Sequence, residues 1–142
     1  MNIVLDTNVL VAGLLSPFGP CGELVRMVSS GVLTLSFDAR ILNEYQEEEV
    51  LARPKFKFDK DKRSALLDQI EHRGRTVASS PLIHTLPDSD DEPFLEVAIA
   101  AQAIGIVTGN LVHFPADLCQ GVMVLSRSEF LTFYKKQHLT TT

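Results

Sequence analysis

The chain has 142 residues, 45% of them apolar, enough for one substantial core and too few for two independent ones. Thirteen Lys and Arg against 18 Asp and Glu leave a formal charge of -5, which opposes a broad nucleic-acid-attracting field while leaving room for local basic patches. Cys21 and Cys119 are too few and too far apart for a metal knuckle or a disulfide scaffold, the start Met1-Asn2-Ile3-Val4-Leu5-Asp6 lacks a basic leader, and no stretch approaches the roughly 18 apolar residues of a membrane span. The expectation is a reduced, cytoplasmic domain over residues 1–137, with 138–142 as a short tail.

Ile3-Val4-Leu5 reads as a buried parallel strand that stops at Asp6-Thr7-Asn8, and Val9 to Leu15 begin a helix interrupted by Ser16-Pro17. After Pro20, Leu24, Val25 and Val28 mark a second helical face ending near Ser30-Gly31. Val32 to Phe37 form the next strand; Asp38 then caps a helix with Ile41, Leu42 and Tyr45 on one face and Pro54 at its end. Phe56-Lys57-Phe58 leads through Asp59 into a helix carrying Leu66, Leu67 and Ile70. Arg75-Thr76-Val77 and Leu82-Ile83-His84 read as a short interrupted strand region whose pairing the sequence does not fix.

Asp88-Ser89-Asp90-Asp91-Glu92-Pro93 is a polar helix entrance, since Pro93 suits the first turn and acids suit a helix N-terminus. Phe94, Leu95, Ala98, Ile99 and Ala101 supply its apolar stripe, Gly105 ends it, and Ile106-Val107 is a strand. Gly109 to Cys119 is a loop with a helical turn near Pro115, Gly121 to Leu125 a late strand, and Ser126 the cap of a final helix through Phe130 and Phe133. Repeated strand-helix alternation predicts a three-layer α/β fold with a central, mainly parallel sheet flanked by helices.

An acid directly after a buried strand combines rigidity with access, because ligands of parallel α/β folds approach the carboxyl ends of strands. Asp6 has that position, and a strand-end cap is the plainer reading of it. Later boundaries add Glu44 and Asp91. Carboxylates crowded together need a cation, a proton or a basic partner, and Mg2+ and Mn2+ favour such oxygen donors. Linear spacing alone does not establish that the three converge.

Val4-Leu5-Asp6-Thr7-Asn8-Val9-Leu10-Val11, the segment from Leu35 to Tyr45 with Glu44 near its end, and Asp88 to Ala98 resemble the three acidic segments of the PIN domain ribonuclease family. Ile106-Val107-Thr108-Gly109-Asn110 follows at the family-like position, and the resemblance is to the bacterial and archaeal branch assigned to toxins of toxin-antitoxin pairs. It implies a metal-dependent endoribonuclease using Mg2+ or Mn2+, which leaves a 5'-phosphate and a 3'-hydroxyl. The acids it implies are Asp6, Glu44 and Asp91, with Asn8, Thr108 and His113 as polar support. An antitoxin protein and a homodimer are the partners it implies beside RNA.

The chain departs from the pattern at the fourth acidic position, where Asn110 stands in place of Asp and His113 in place of a further acid. The carbonyl of Asn110 can serve a metal or its water but lacks the charge that strengthens a second ion site. Asp117 is a compensating acid or a helix cap, and His113 a phosphate contact or a loop-packing residue. Glu47, Glu48, Glu49 and Glu96 read as charged helix faces. Arg53, Lys55 and Lys57, interleaved with Phe56 and Phe58, form a basic segment able to meet an RNA backbone or simply to solvate a helix. Two other readings therefore stand beside the nuclease: a catalytically weak or inactive PIN-like module that binds nucleic acid or protein, and another metal-dependent phosphohydrolase.

Overall fold

The computed structural model describes residues 1–47 and 60–139. Strands β1 (Asn2–Leu5), β2 (Thr34–Phe37), β3 (Arg75–Thr76), β4 (Gly105–Val107) and β5 (Met123–Leu125) form one sheet in the order β3-β2-β1-β4-β5, with every pair parallel. Helices α1 (Thr7–Leu15), α2 (Pro20–Ser29), α3 (Ala39–Glu47), α4 (Lys60–Arg73), α5 (Glu92–Ala101) and α6 (Arg127–Leu139) flank it, giving the three-layer arrangement that the alternation predicts.

Burial explains why these segments take these forms. β1, β2 and β4 lie inside the sheet and present Ile3, Val4, Leu5, Leu35, Phe37, Ile106 and Val107 to the core, as strands covered on both faces must. Leu24 and Val28 of α2, Ile41 and Tyr45 of α3, Leu66 and Ile70 of α4, and Phe94, Leu95, Val97 and Ala98 of α5 close over them. Two caps match their sequence signals. Asp38 Oδ1 accepts from the Ile41 amide at 3.2 Å, while Ser126 Oγ accepts from the Glu129 amide at 3.1 Å and Glu129 returns an acceptor to the Ser126 amide at 2.9 Å.

Four local expectations change. Val32 is exposed and precedes β2; Leu82-Ile83-His84 forms no strand; and the loop after β4 holds two 3-10 turns, Leu111–His113 and Ala116–Leu118. The fourth concerns α5, which stops at Gln102 rather than Gly105: Gln102 takes the left-handed conformation, φ 50°, and its amide reaches back to the Ala98 and Ile99 carbonyls. Gly105 instead opens β4, where a Cβ would stand 2.7 Å from the Met123 carbonyl oxygen of β5. Pro54 and the Thr140-Thr141-Thr142 end lie outside the described residues. Among those described, no single helix is long and apolar enough to cross a membrane.

The sheet order sets the place of a site. From β1 the chain steps outward through β2 to β3, then returns to lay β4 and β5 on the other side of β1, so β1 and β4 are neighbours whose connections leave in opposite directions. Such a switch point leaves a crevice at the carboxyl ends of the two strands. Replacing Gly105 by Ala is expected to lower stability by about 1–3 kcal/mol through the clash with the β5 backbone, read as a lower urea midpoint.

Candidate active site

Leu5 and Val107 are register partners, so the next residues on each chain, Asp6 and Thr108, leave the sheet side by side at the switch point. The Asp6 amide donates to the Val107 carbonyl at 2.9 Å, continuing the ladder one step past the strand. The side chains then meet: Thr108 Oγ1 donates to Asp6 Oδ2 at 2.6 Å, with Asp6 only 5% exposed and Thr108 fully buried. Asp6 occupies the N-cap position of α1, yet its carboxylate makes no capping bond. The plain reading of Asp6 as a helix cap therefore does not account for its orientation.

Asp91 reaches the same crevice from α5. That helix leads directly into β4 and packs on β1 and β2, so it runs against the strands and its N-terminus lies at their carboxyl ends. Of the four clustered acids, Asp88 takes the capping work, accepting from the Asp90 amide at 2.9 Å, and Glu92 Oε2 accepts from the Leu86 amide at 3.0 Å. The Asp91 carboxylate caps nothing, and its Oδ2 is buried without a hydrogen-bond partner. His113 Nδ1 stands 3.1 Å from that oxygen, at ion-pair distance. Burial pushes the Asp91 carboxyl above its ordinary range; the positive character of His113 opposes the rise, and the charges of Asp6 and Asp88 add to it.

The remaining residues surround this pair unevenly. Asn110 is half-buried and its amide donates to Thr108 Oγ1 at 3.0 Å, so one hydroxyl links the Asn110 backbone to the Asp6 carboxylate. Asn8 is exposed in the first turn of α1. Glu44 is exposed on α3; successive helical residues are rotated by about 100°, and its neighbour Tyr45 takes the inward direction. The Tyr45 hydroxyl donates to the Leu5 carbonyl, immediately before Asp6, and burial with the nearby charges of Asp6 and Glu44 raises its ionisation well above the ordinary tyrosine range. Sequence reading placed Tyr45 on the buried face but missed this anchor, whose only signal was a polar tip on an inward position. Arg53, Lys55, Lys57, Glu48 and Glu49 lie outside the described residues. Asp117 is exposed in the second 3-10 turn, and Glu96 pairs with Arg40 at 2.9 Å.

Residues 2–112 match the PIN domain family model. The chain belongs to the PIN domain family. No curated protein matches this PIN domain chain. Among solved structures, VapBC2 from Rickettsia felis bound to a DNA fragment from their promoter is similar at a TM-score of 0.55 and 17% identity, covering 89% of this chain and 98% of that one. At that identity the likeness is one of fold.

The donor set fits a divalent cation in part. A buried carboxylate oxygen without a hydrogen-bond partner, beside a second buried acid, is a place where positive charge relieves both desolvation and repulsion. Against a strongly held metal centre, no group of three or more His, Cys, Asp or Glu side chains among the described residues is arranged to hold an ion.

The raised Asp91 carboxyl fixes a sign. The folded protein binds that proton more tightly than the unfolded chain, so ionised Asp91 costs stability above its folded titration range, and the cost disappears as pH falls below the ordinary Asp range. Asp91→Asn is expected to raise the thermal midpoint in EDTA at pH 7, with the gain vanishing toward pH 3; a midpoint lowered at pH 7 would contradict the assignment.

Proposed function

We propose that this PIN domain is an RNA-directed module of the toxin-antitoxin type with weak divalent-cation-dependent hydrolysis. The observation that supports the reading is the charge of Asp6 acting on the Asp91 carboxyl, neither carboxylate spent on its own helix, without a full acidic set among the described residues. Glu44 stands on an exposed face and Asn110 contributes no charge, so a second ion has little to hold it.

Asp6 and Asp91 are the residues that would hold Mg2+ or Mn2+, with Glu44 and Asn110 as further oxygen donors. When bound, such an ion neutralises phosphate charge and activates water for in-line attack at phosphorus. Thr108 holds Asp6 in one orientation through its donated hydrogen bond, which spares the site the rearrangement a free carboxylate would need. His113 is placed to hold the position of Asp91, and exposed Asn8 to meet a phosphate oxygen at the rim. Arg53, Lys55 and Lys57 are proposed to contact the RNA backbone. The promoter-bound Rickettsia felis assembly supports an antitoxin partner for this chain, while the homodimer rests on the family resemblance and the cytoplasmic location on the few, widely separated cysteines.

A fully active ribonuclease toxin is the second reading, favoured by the burial of Asp91 Oδ2, which a cation would offset. Turnover of single-stranded and hairpin RNAs with Mg2+ or Mn2+ separates the two. Weak activity predicts slow cleavage that is lost in Asp6→Asn and raised about 10- to 100-fold by Asn110→Asp, the range over which metal-site partners act. Fast cleavage indifferent to Asn110→Asp would favour the full toxin; cleavage unaffected by Asp6→Asn would overturn the site, and turnover of small phosphate esters alone would indicate a different phosphohydrolase.

A further inference from the structure

The peptide group joining Leu5 to Asp6 is planar, so its carbonyl and its amide point in opposite directions across the sheet. The amide turns toward β4, where it donates to the Val107 carbonyl at 2.9 Å. The carbonyl therefore faces the β2 side. Continued from Asn2 opposite Thr34 and Ile3 opposite Leu35, the parallel register sets Leu5 level with Phe37, the last residue of β2, after which the chain turns into α3. There the Tyr45 hydroxyl donates to the Leu5 carbonyl. A side chain thus continues the ladder where the neighbouring strand has ended.

The backbone on both sides of Asp6 is thereby held. Its amide is bonded to β4, the carbonyl before it to α3, and its own carbonyl to the amides of Val9 and Leu10 at 3.0 and 3.4 Å. With φ at -64° and ψ at 140°, these bonds fix the direction in which Cβ leaves the chain, and Thr108 Oγ1 meets the carboxylate at 2.6 Å. Among these fastenings Tyr45 is the one that ties Asp6 to α3, the helix that carries Glu44. The Tyr45 ring is fully buried in the core, and close packing around it keeps the hydroxyl in one place.

We infer that Tyr45 is a positioning residue: by holding the Leu5 carbonyl it sets the direction in which the Asp6 carboxylate enters the crevice. The catalytic consequence rests on the proposed hydrolysis, whereas the orientation of Asp6 does not. Without the hydroxyl, a buried carbonyl loses its donor and the Leu5–Asp6 peptide is held from the β4 side alone. A small displacement of a reacting group lowers the rate of the chemical step more than it weakens substrate binding.

The test is Tyr45→Phe in the full chain, which removes the hydroxyl and keeps the ring in the core. Amide hydrogen exchange followed by NMR is expected to quicken about tenfold at Asp6 and Asn110, beyond any change at Val4 and Ile106 in the strand interiors. These two amides donate to the Val107 carbonyl and to the Thr108 hydroxyl, so they report the setting of Asp6 directly. A tether that only stabilises the fold would quicken exchange uniformly or within α3 alone, and either pattern overturns the inference. In RNA turnover the same variant is expected to lower kcat about 10- to 100-fold while KM stays within about twofold. An active wild-type protein whose kcat is untouched by Tyr45→Phe overturns it equally. If the wild-type protein cleaves no RNA, the functional reading falls, and the exchange pattern by itself decides whether Tyr45 orients Asp6.

Discussion

A buried carboxylate held by a hydroxyl from the far end of the domain is the constraint on which the rest of the structure turns. Asp6 and Thr108 are 102 positions apart in sequence, and their 2.6 Å hydrogen bond exists only because β4 is inserted beside β1. Burying an anion is costly; the Thr108 donor and the N-terminal end of α1 offset part of that cost. Asp91 adds to it, its carboxyl pushed above the ordinary range chiefly by its own burial and to a lesser degree by the charge of Asp6. The core of β1, β2, β4 and α5 thus supports a local arrangement that is unfavourable in itself, which is the usual relation between a scaffold and the site it serves.

Much of the architecture was legible because burial on both faces leaves a strong mark on short strands. Ile3-Val4-Leu5 and Ile106-Val107 have no other economical reading, and Asp38 and Ser126 sit where caps are needed. β3 was not placeable, since Arg75 and Thr76 are both exposed and pair with Ser36 and Phe37 far away in sequence. The end of α5 was misread because a glycine is the habitual stop signal, whereas here Gln102 takes the left-handed turn and Gly105 is required for close approach of β5. In the site, family resemblance singled out Asp91 from its acidic neighbours. Which of those neighbours caps the turn depends on backbone angles that a run of similar side chains does not encode.

Helix α3 shows how one element can be fixed firmly while its acid stays at the margin. The Tyr45 hydroxyl fastens it to the Leu5 carbonyl, and Arg40, bonded to Asp38, Glu96 and Ser79, ties its first turn to α5 and to the chain beyond β3. Glu44 lies between these fastenings on the outward side. Glu44 faces outward from the helix, whereas Asp6 is buried at the end of β1.

The brevity of the outermost strands has a consequence for self-association. β3 has two residues, one of them an exposed arginine, and β5 has three, so neither border offers a long row of free amides and carbonyls on which another chain could template. Copies of the molecule are thereby protected from lateral stacking into extended ribbons, and any ordered assembly falls to helices and loops, whose side chains can discriminate one partner from another.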